Sequence, residues 1–315
     1  MAEGNSSVVI ACPKEGCLCE AFEDELPKII DREHLLEVGE SVELRFVYSL
    51  HDLDNALAGT DTVGGVVDIS LSRATADGAD ALYEILKRCQ QRRMAVLAPA
   101  QCFWLENAVF MYSLLDGLPR CRRFNTDEFL RDNGRHYWRD LLDYCMQDQR
   151  VRRFETEWRE RSPGEGGPLE QLVRALFRSI PGFSARCNVK LAKFPHIEID
   201  VLVENHIPGD VSGRLSAEKL GQRIYVECKD LNKTPNYGVL TKMTLNERFL
   251  DGCRSCFLVS PSGFNENIEF LKSIHTFGGF FVCLINGEQL ETWISADDRE
   301  RVLSEIILAS QVPER

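Results

Sequence analysis

The chain has no apolar run near the roughly 20 residues that a membrane-spanning helix needs, although 44% of its 315 residues are hydrophobic. That content is enough for ordinary globular cores, and no membrane partner is expected. Residues 1–12 lack a charged start, a long apolar stretch and a small-residue cleavage site, so no export signal is expected either. Histidine is scarce, and its six scattered copies form no ligand motif. The twelve cysteines are spread through strand-like and helix-like segments of a chain too long to be a disulfide scaffold. Reduced thiols in a cytoplasmic protein are expected. Cys17-Leu18-Cys19 and Cys253-Arg254-Ser255-Cys256 lack partner pairs at zinc-site spacing. No internal repeat or low-complexity tract is present.

An excess of basic charge is also missing: 37 Lys and Arg stand against 49 Asp and Glu, a net charge of −12. The deficit is uneven. Residues 1–150 carry −10 and residues 151–315 only −2. In the rear half Arg186, Lys190, Lys193, Arg223, Lys229, Lys233 and Lys242 accompany the acids discussed below. That balance is compatible with phosphate contact, without forming a basic stripe.

The length allows about two domains. The front part alternates strand and helix: Val8 to Cys12 reads as a buried strand, Glu20 to Asp31 as a helix, Val42 to Leu50 as a strand and His51 to Ala58 as a short helix. Gly65 to Ile69 is then a strand, Ala79 to Arg92 an amphipathic helix and Met94 to Ala98 a further strand. Apolar runs of this length between helices predict a doubly wound α/β domain on a parallel sheet, with ligands at the carboxyl ends of its strands. His136 to Arg161 has helical spacing, with Trp138, Leu141, Leu142 and Cys145 on one apolar face. Ser162 to Pro168 breaks it. The expected organisation is residues 1–132 as a regulatory or dimerisation domain, 133–164 as a helical linker and 165–315 as a second α/β domain with a mixed sheet.

The second domain carries the chemistry. His196 to Glu204 and Arg223 to Lys229 both read as strands. On a strand Glu227 and Lys229 point to one face and Cys228 to the other, and Glu198 and Asp200 share a face likewise. If the strands pair, three carboxylates and an ammonium converge. A hard divalent cation on oxygen ligands, with the lysine beside it, removes their mutual repulsion. Such a site suits metal-assisted hydrolysis of a phosphodiester. The bland alternative is a solvated salt bridge on a half-buried strand, with Tyr225, Glu227 and Lys229 alternating against Ile224, Val226 and Cys228.

Asp200 followed by Glu227-x-Lys229 resembles the signature of PD-(D/E)xK nucleases, and its surroundings resemble the Mrr-like restriction endonuclease branch. Gly166 to Val173 opens a helix with Glu170 in its first turn, and Ile180-Pro181-Gly182-Phe183 ends it. Cys256 to Phe264 is similar to the strand and Ser/Thr-x-Gly-Phe turn of Mrr-like domains. The likeness covers roughly residues 165–290. Ile199 stands where the family often has proline, and Glu204 to Gln222 is longer than a tight hairpin needs. It reads as a solvent loop or a substrate-contacting insertion. The resemblance implies a restriction-endonuclease-like fold and a DNA endonuclease, in prokaryotic defence, cutting as a homodimer. Asp200, Glu227, Lys229 and Glu170 would be catalytic; Asp200, Glu227, the Cys228 carbonyl and Glu170 would bind Mg2+ or Mn2+. Glu198 is a spare acid beside them. Asn188, Lys190, Asn232, Lys233, Tyr237 and Lys242 are candidates for contact with nucleic acid. A weakly active nucleic-acid-binding or signalling adaptor on the same fold is the alternative.

A second likeness lies in front. Val66 to Ser72 and the following helix resemble the third strand and helix of a response-regulator receiver, with Asp68 at the phosphoacceptor position. Val96 to Ala100 and Arg122 to Leu130 are similar to later receiver segments. Cys12 and Pro13 stand where receivers carry two acids, Pro99 replaces the hydroxyl residue and Arg122 the lysine. A degenerate receiver with Asp68 as regulatory residue, an ordinary flavodoxin-like domain and a small-ligand sensor all fit. Each leaves room for a protein or small-ligand partner.

Overall fold

The computed structural model describes residues 6–13, 42–72, 76–89, 91–98, 118, 120–125, 135–162, 167–180, 182–191, 194–206, 215, 217–230, 234–246, 250–268, 272 and 281–311. The chain divides into two compact α/β units, residues 1–149 and 150–315. The helix expected over Glu20 to Asp31 and the zinc-like pair Cys17 and Cys19 lie outside the described residues.

The first unit is a five-stranded, all-parallel sheet. Its strands are β1 (Ser6–Ala11), β2 (Val42–Val47), β3 (Thr62–Asp68), β4 (Arg93–Ala98) and β5 (Cys121–Asn125), in the order β2-β1-β3-β4-β5. Alternation along the strands sorts the core into two layers. Val9, Ala11, Val67, Met94 and Val96 face α1 (Leu50–Ala58) and α2 (Ala76–Arg88) through Leu53, Leu57, Leu82, Ile85 and Leu86. Val8, Ile10, Val66, Ala95 and Leu97 face Leu141, Leu142, Tyr144, Cys145 and Met146 of α3 (Arg135–Glu160). Burial on both faces is why these strands read as continuous apolar runs. Gly64 is required at the second contact, since a Cβ there would lie 2.7 Å from the Cys145 carbonyl oxygen.

Local capping trims the expected elements. β2 stops at Val47, short of Leu50, because Ser49 caps α1 by accepting from the Asp52 amide at 3.1 Å. β3 stops at Asp68, and Ile69–Ser72 turns as a 3-10 helix. Cys12, just past β1, is disulfide-bonded, against the expectation of reduced thiols throughout; its partner lies outside the described residues. Cys89, Cys121, Cys145, Cys187, Cys228, Cys253, Cys256 and Cys283 are free. The helix expected over 133–164 is α3, whose later residues Val151, Phe154 and Trp158 belong to the core of the second unit.

The second unit holds a mixed sheet of β6 (Phe183–Leu191), β7 (Phe194–Asn205), β8 (Arg223–Cys228), β9 (Cys253–Ser260) and β10 (Phe281–Asn286), ordered β10-β9-β8-β7-β6. β6, β7 and β8 pair antiparallel; β8, β9 and β10 pair parallel. One face buries Val201, Val203, Ile224, Val226, Phe257, Val259 and Ile285. Over it lie α4 (Gly167–Arg178) and two carboxyl-terminal helices, α7 (Gly287–Ser295) and α8 (Arg299–Gln311). Two short helices, α5 (Ala217–Leu220) and α6 (Tyr237–Asn246), precede those two in the chain. Leu240 and Met243 of α6 pack on the other face with Leu202, Tyr225, Cys256, Leu258 and Val282. Of the long β7–β8 connection, Asn205 Nδ2 donates to the Leu215 carbonyl at 2.8 Å and α5 follows; residues 207–214 are outside the described set. Among the described residues no helix is long and apolar enough to cross a membrane.

Phe177 of α4 is fully buried, edge-on to Trp293 at 5.1 Å and to Phe257 at 5.6 Å between ring centres. Phe177→Ala should therefore destabilise the second unit by about 3–5 kcal/mol, read as a lowered urea midpoint.

Candidate active site

β8 is built from residues that suit a buried strand, Ile224, Tyr225 and Val226, followed by Glu227 and Cys228. Lys229 lies just past it, and its amide donates to the Val259 carbonyl at 2.8 Å. Tyr225, Glu227 and Lys229 therefore share the α6 side, while Ile224, Val226 and Cys228 enter the other layer. Val201 of β7 pairs with Val226, which sets Asp200 one step along, beside Glu227. The Cys228 amide donates to Asp200 Oδ2 at 2.8 Å, so the backbone of one strand holds the side chain of the next.

Lys229 joins the two acids. Its Nζ lies 2.6 Å from Glu227 Oε1, 3.5 Å from Asp200 Oδ2 and 3.3 Å from the Cys228 carbonyl oxygen, using all three ammonium donors. The Tyr225 hydroxyl donates to the other oxygen of Glu227, Oε2, at 2.9 Å. Lys242 of α6, largely exposed, brings a second ammonium to 3.8 Å from Glu227 Oε1. Glu227 is 2% exposed. The alternative of a solvated surface ion pair is therefore wrong for this residue, because the strand is covered on both faces. Asp200 Oδ1 has no protein partner among the described residues, since the bonds to this carboxylate fall on Oδ2.

Glu170 approaches from elsewhere. It opens α4, half-buried, and its carboxyl lies beside the Asn188 side chain, within reach of the Asp200, Lys229 and Glu198 charges. Asn188 has φ +54°, the left-handed region that asparagine tolerates better than most residues. It interrupts the β6–β7 ladder between the pairs Cys187–Val201 and Val189–Ile199, at the level of Asp200. Glu198 is exposed and paired across strands with Lys190, so it stays outside the tight cluster. Among the described residues no three or more His, Cys, Asp or Glu side chains form a group that could hold a metal ion. Two carboxylates and the Cys228 carbonyl are the oxygen donors that come together. Asn232 and Lys233 lie outside the described residues, as does the side chain of Tyr237.

One feature had no local signal. Arg161 makes a two-pronged ion pair with Asp230, which is buried immediately after Lys229, and also stacks 4.8 Å from the centre of the Trp158 ring. It pins the chain where it leaves β8, across 69 residues of sequence. The Ser260–Phe264 turn, marked in the sequence, closes through the Gly263 amide to the Ser260 carbonyl at 3.0 Å; Gly263 has φ +77°, which favours glycine.

In the first unit Asp68 ends β3, and its Oδ1 accepts from the Ser70 amide at 2.8 Å and the Ser70 hydroxyl at 2.6 Å. This bond draws the chain into the 3-10 turn. Arg122 on β5 lies near enough to the Tyr144 phenol to act on its charge. Against known proteins, the chain matches no family model and no curated protein.

The electrostatics of the cluster are those of a crowded acid pair. Burial pushes the Asp200 carboxyl above the usual carboxylate range, and the Glu227 charge adds to this. Burial also raises Glu170, helped by Asp200. Burial alone would lower the Lys229 ammonium, but Glu227 and Asp200 outweigh it and the net shift is upward. Asp200 and Glu170 thus hold protons more tightly folded than unfolded. Their stabilising contribution is full below the ordinary carboxylate range and is lost as pH rises through their raised values. Asp200→Asn keeps an acceptor for the Cys228 amide and removes one charge. In EDTA it should melt above wild type at neutral pH, with the gap closing on acidification into the carboxylate range. A wild type that melts as high as the variant throughout would contradict this.

Proposed function

We propose that the second unit is a metal-dependent endonuclease of the PD-(D/E)xK type, hydrolysing phosphodiester bonds in DNA. The first unit, in this reading, is a receiver-like module that regulates it or joins it into a dimer. The observation that carries the reading is the Asp200–Lys229–Glu227 cluster at the end of the central strand of a mixed sheet, with the acid-opened helix α4 beside it.

The donor set fits a hard divalent ion. Among the described residues Asp200 Oδ1 has no partner and Glu227 Oε1 faces ammonium groups, and the Cys228 carbonyl adds a third oxygen, leaving room for water as Mg2+ and Mn2+ prefer. Held by Asp200, Glu227 and the Cys228 carbonyl, such an ion would supply polarisation of the phosphate and hydroxide at neutral pH. Lys229, kept protonated by its two acids, acts as donor and not as base: it orients the attacking water and stabilises charge on the phosphorane. Glu170 acts at longer range, through water or through the field at Asp200. Lys242 and Lys190 are exposed cations that can meet the DNA backbone.

For the first unit, support comes from its strand order, which is that of flavodoxin-like sheets, and from Asp68 at the strand end beside the switch point between β1 and β3. A binding adaptor on the same folds is the second reading. It is favoured by Lys229 lying bonded between both carboxylates.

Nicking of supercoiled plasmid in Mg2+ separates the two. Asp200→Ala, Glu227→Ala and Lys229→Ala should each abolish it in folded protein, and Glu170→Ala should lower it less. Cleavage by Asp200→Ala at the wild-type rate would sink the assignment.

For Asp68, incubation with acetyl phosphate and Mg2+ should leave the intact mass unchanged. Cys12 and Pro13 replace the acids that would support an acyl phosphate, and Oδ1 already accepts two bonds from Ser70. Addition of one phosphoryl group, lost in Asp68→Ala, would refute this.

A further inference from the structure

The two oxygens of Glu227 have different surroundings. Oε2 accepts from the Tyr225 hydroxyl at 2.9 Å, while Oε1 faces Lys229 at 2.6 Å and Lys242 at 3.8 Å. Tyr225 cannot drift from this bond. Its side chain is fully buried among Leu202, Leu240, Met243 and Cys256. The Asn246 side chain, one turn past Lys242 on α6, lies beside the same hydroxyl, with its Nδ2 buried and short of a formed hydrogen bond.

A carboxylate can grip an ion with one oxygen or with both. Mg2+ and Mn2+ form compact octahedral shells that suit single-oxygen carboxylates and water. Ca2+ takes six to eight oxygens at longer range and readily accepts a carboxylate edge-on. A hydroxyl fixed on one oxygen decides between these modes, as hydrogen-bond partners behind a ligand generally orient it.

We propose that Tyr225 is a positioning residue that holds Glu227 as a one-oxygen ligand and so makes the site prefer Mg2+ or Mn2+ to Ca2+. This rests on the metal-site reading above and adds the residue that sets its selectivity. Without the hydroxyl, Oε2 is free to turn toward the ion beside Oε1, and the larger cation gains a contact that the smaller one cannot use.

The test is calorimetric titration of the full chain with Mn2+ and with Ca2+, in the absence of DNA. Wild type should bind Mn2+ more tightly. In Tyr225→Phe, with folding checked by circular dichroism, the ratio of affinities should move toward Ca2+ by about tenfold. Asn246→Ala leaves the phenol in place and should keep the wild-type ratio. An unchanged ratio in folded Tyr225→Phe, or the same shift in Asn246→Ala, would overturn the inference. So would a wild type that binds Ca2+ as tightly as Mn2+, whatever the variants do. Plasmid nicking by the same samples separates the two readings. A wild type that prefers Mn2+ but never nicks DNA loses the endonuclease reading and leaves the role of Tyr225 standing, whereas one that binds neither ion loses both.

Discussion

A carboxylate at the centre of a covered sheet must be answered by charge and hydrogen bonds, and the Glu227–Lys229 pair is that answer here. A lone buried carboxylate would cost several kcal/mol or take up a proton. Glu227 instead has an ammonium on one oxygen and a phenol on the other. The rest of the unit serves this arrangement. β7 brings Asp200 alongside, α6 supplies the wall that buries Tyr225, and Arg161 pairs with Asp230, the residue after Lys229.

Much of this was legible in the sequence because it follows period-two alternation. The runs Asp200 to Val203 and Ile224 to Lys229 each declare their two faces, and Asp200, Glu227 and Lys229 fall on the same side once the strands pair. The parallel sheet of the first unit was legible for a related reason: strands buried on both faces leave uninterrupted apolar runs. Its element ends were not, since Ser49 and Asp68 stop their strands through side-chain bonds to nearby amides that an apolar pattern does not register.

Contacts that join distant segments left no trace. Nothing near Arg161 announces that it will meet Asp230, and nothing in Cys187-Asn188-Val189 announces a left-handed residue in mid-strand. Tyr225 was visible as a residue on the Glu227 face, but solvent and core were equally good destinations for it until α6 was placed over that face. The same ambiguity made a surface salt bridge credible for Glu227. What decides it is the covering of the sheet, a property of the assembled unit and not of the strand.

The position of Lys229 two residues from Glu227 also bears on how the unit folds. Asp200 lies 29 residues from Lys229, on the antiparallel neighbour of β8, and such pairings form sooner than the parallel ones that need long crossovers. Had the neutralising cation come from a distant element, the two acids would meet early and repel each other until it arrived. Because the strand that brings one acid also brings the ammonium, the hairpin is never a bare pair of negative charges. The charge balance of the site is thus written into one strand, and pairing β7 with β8 is enough to complete it.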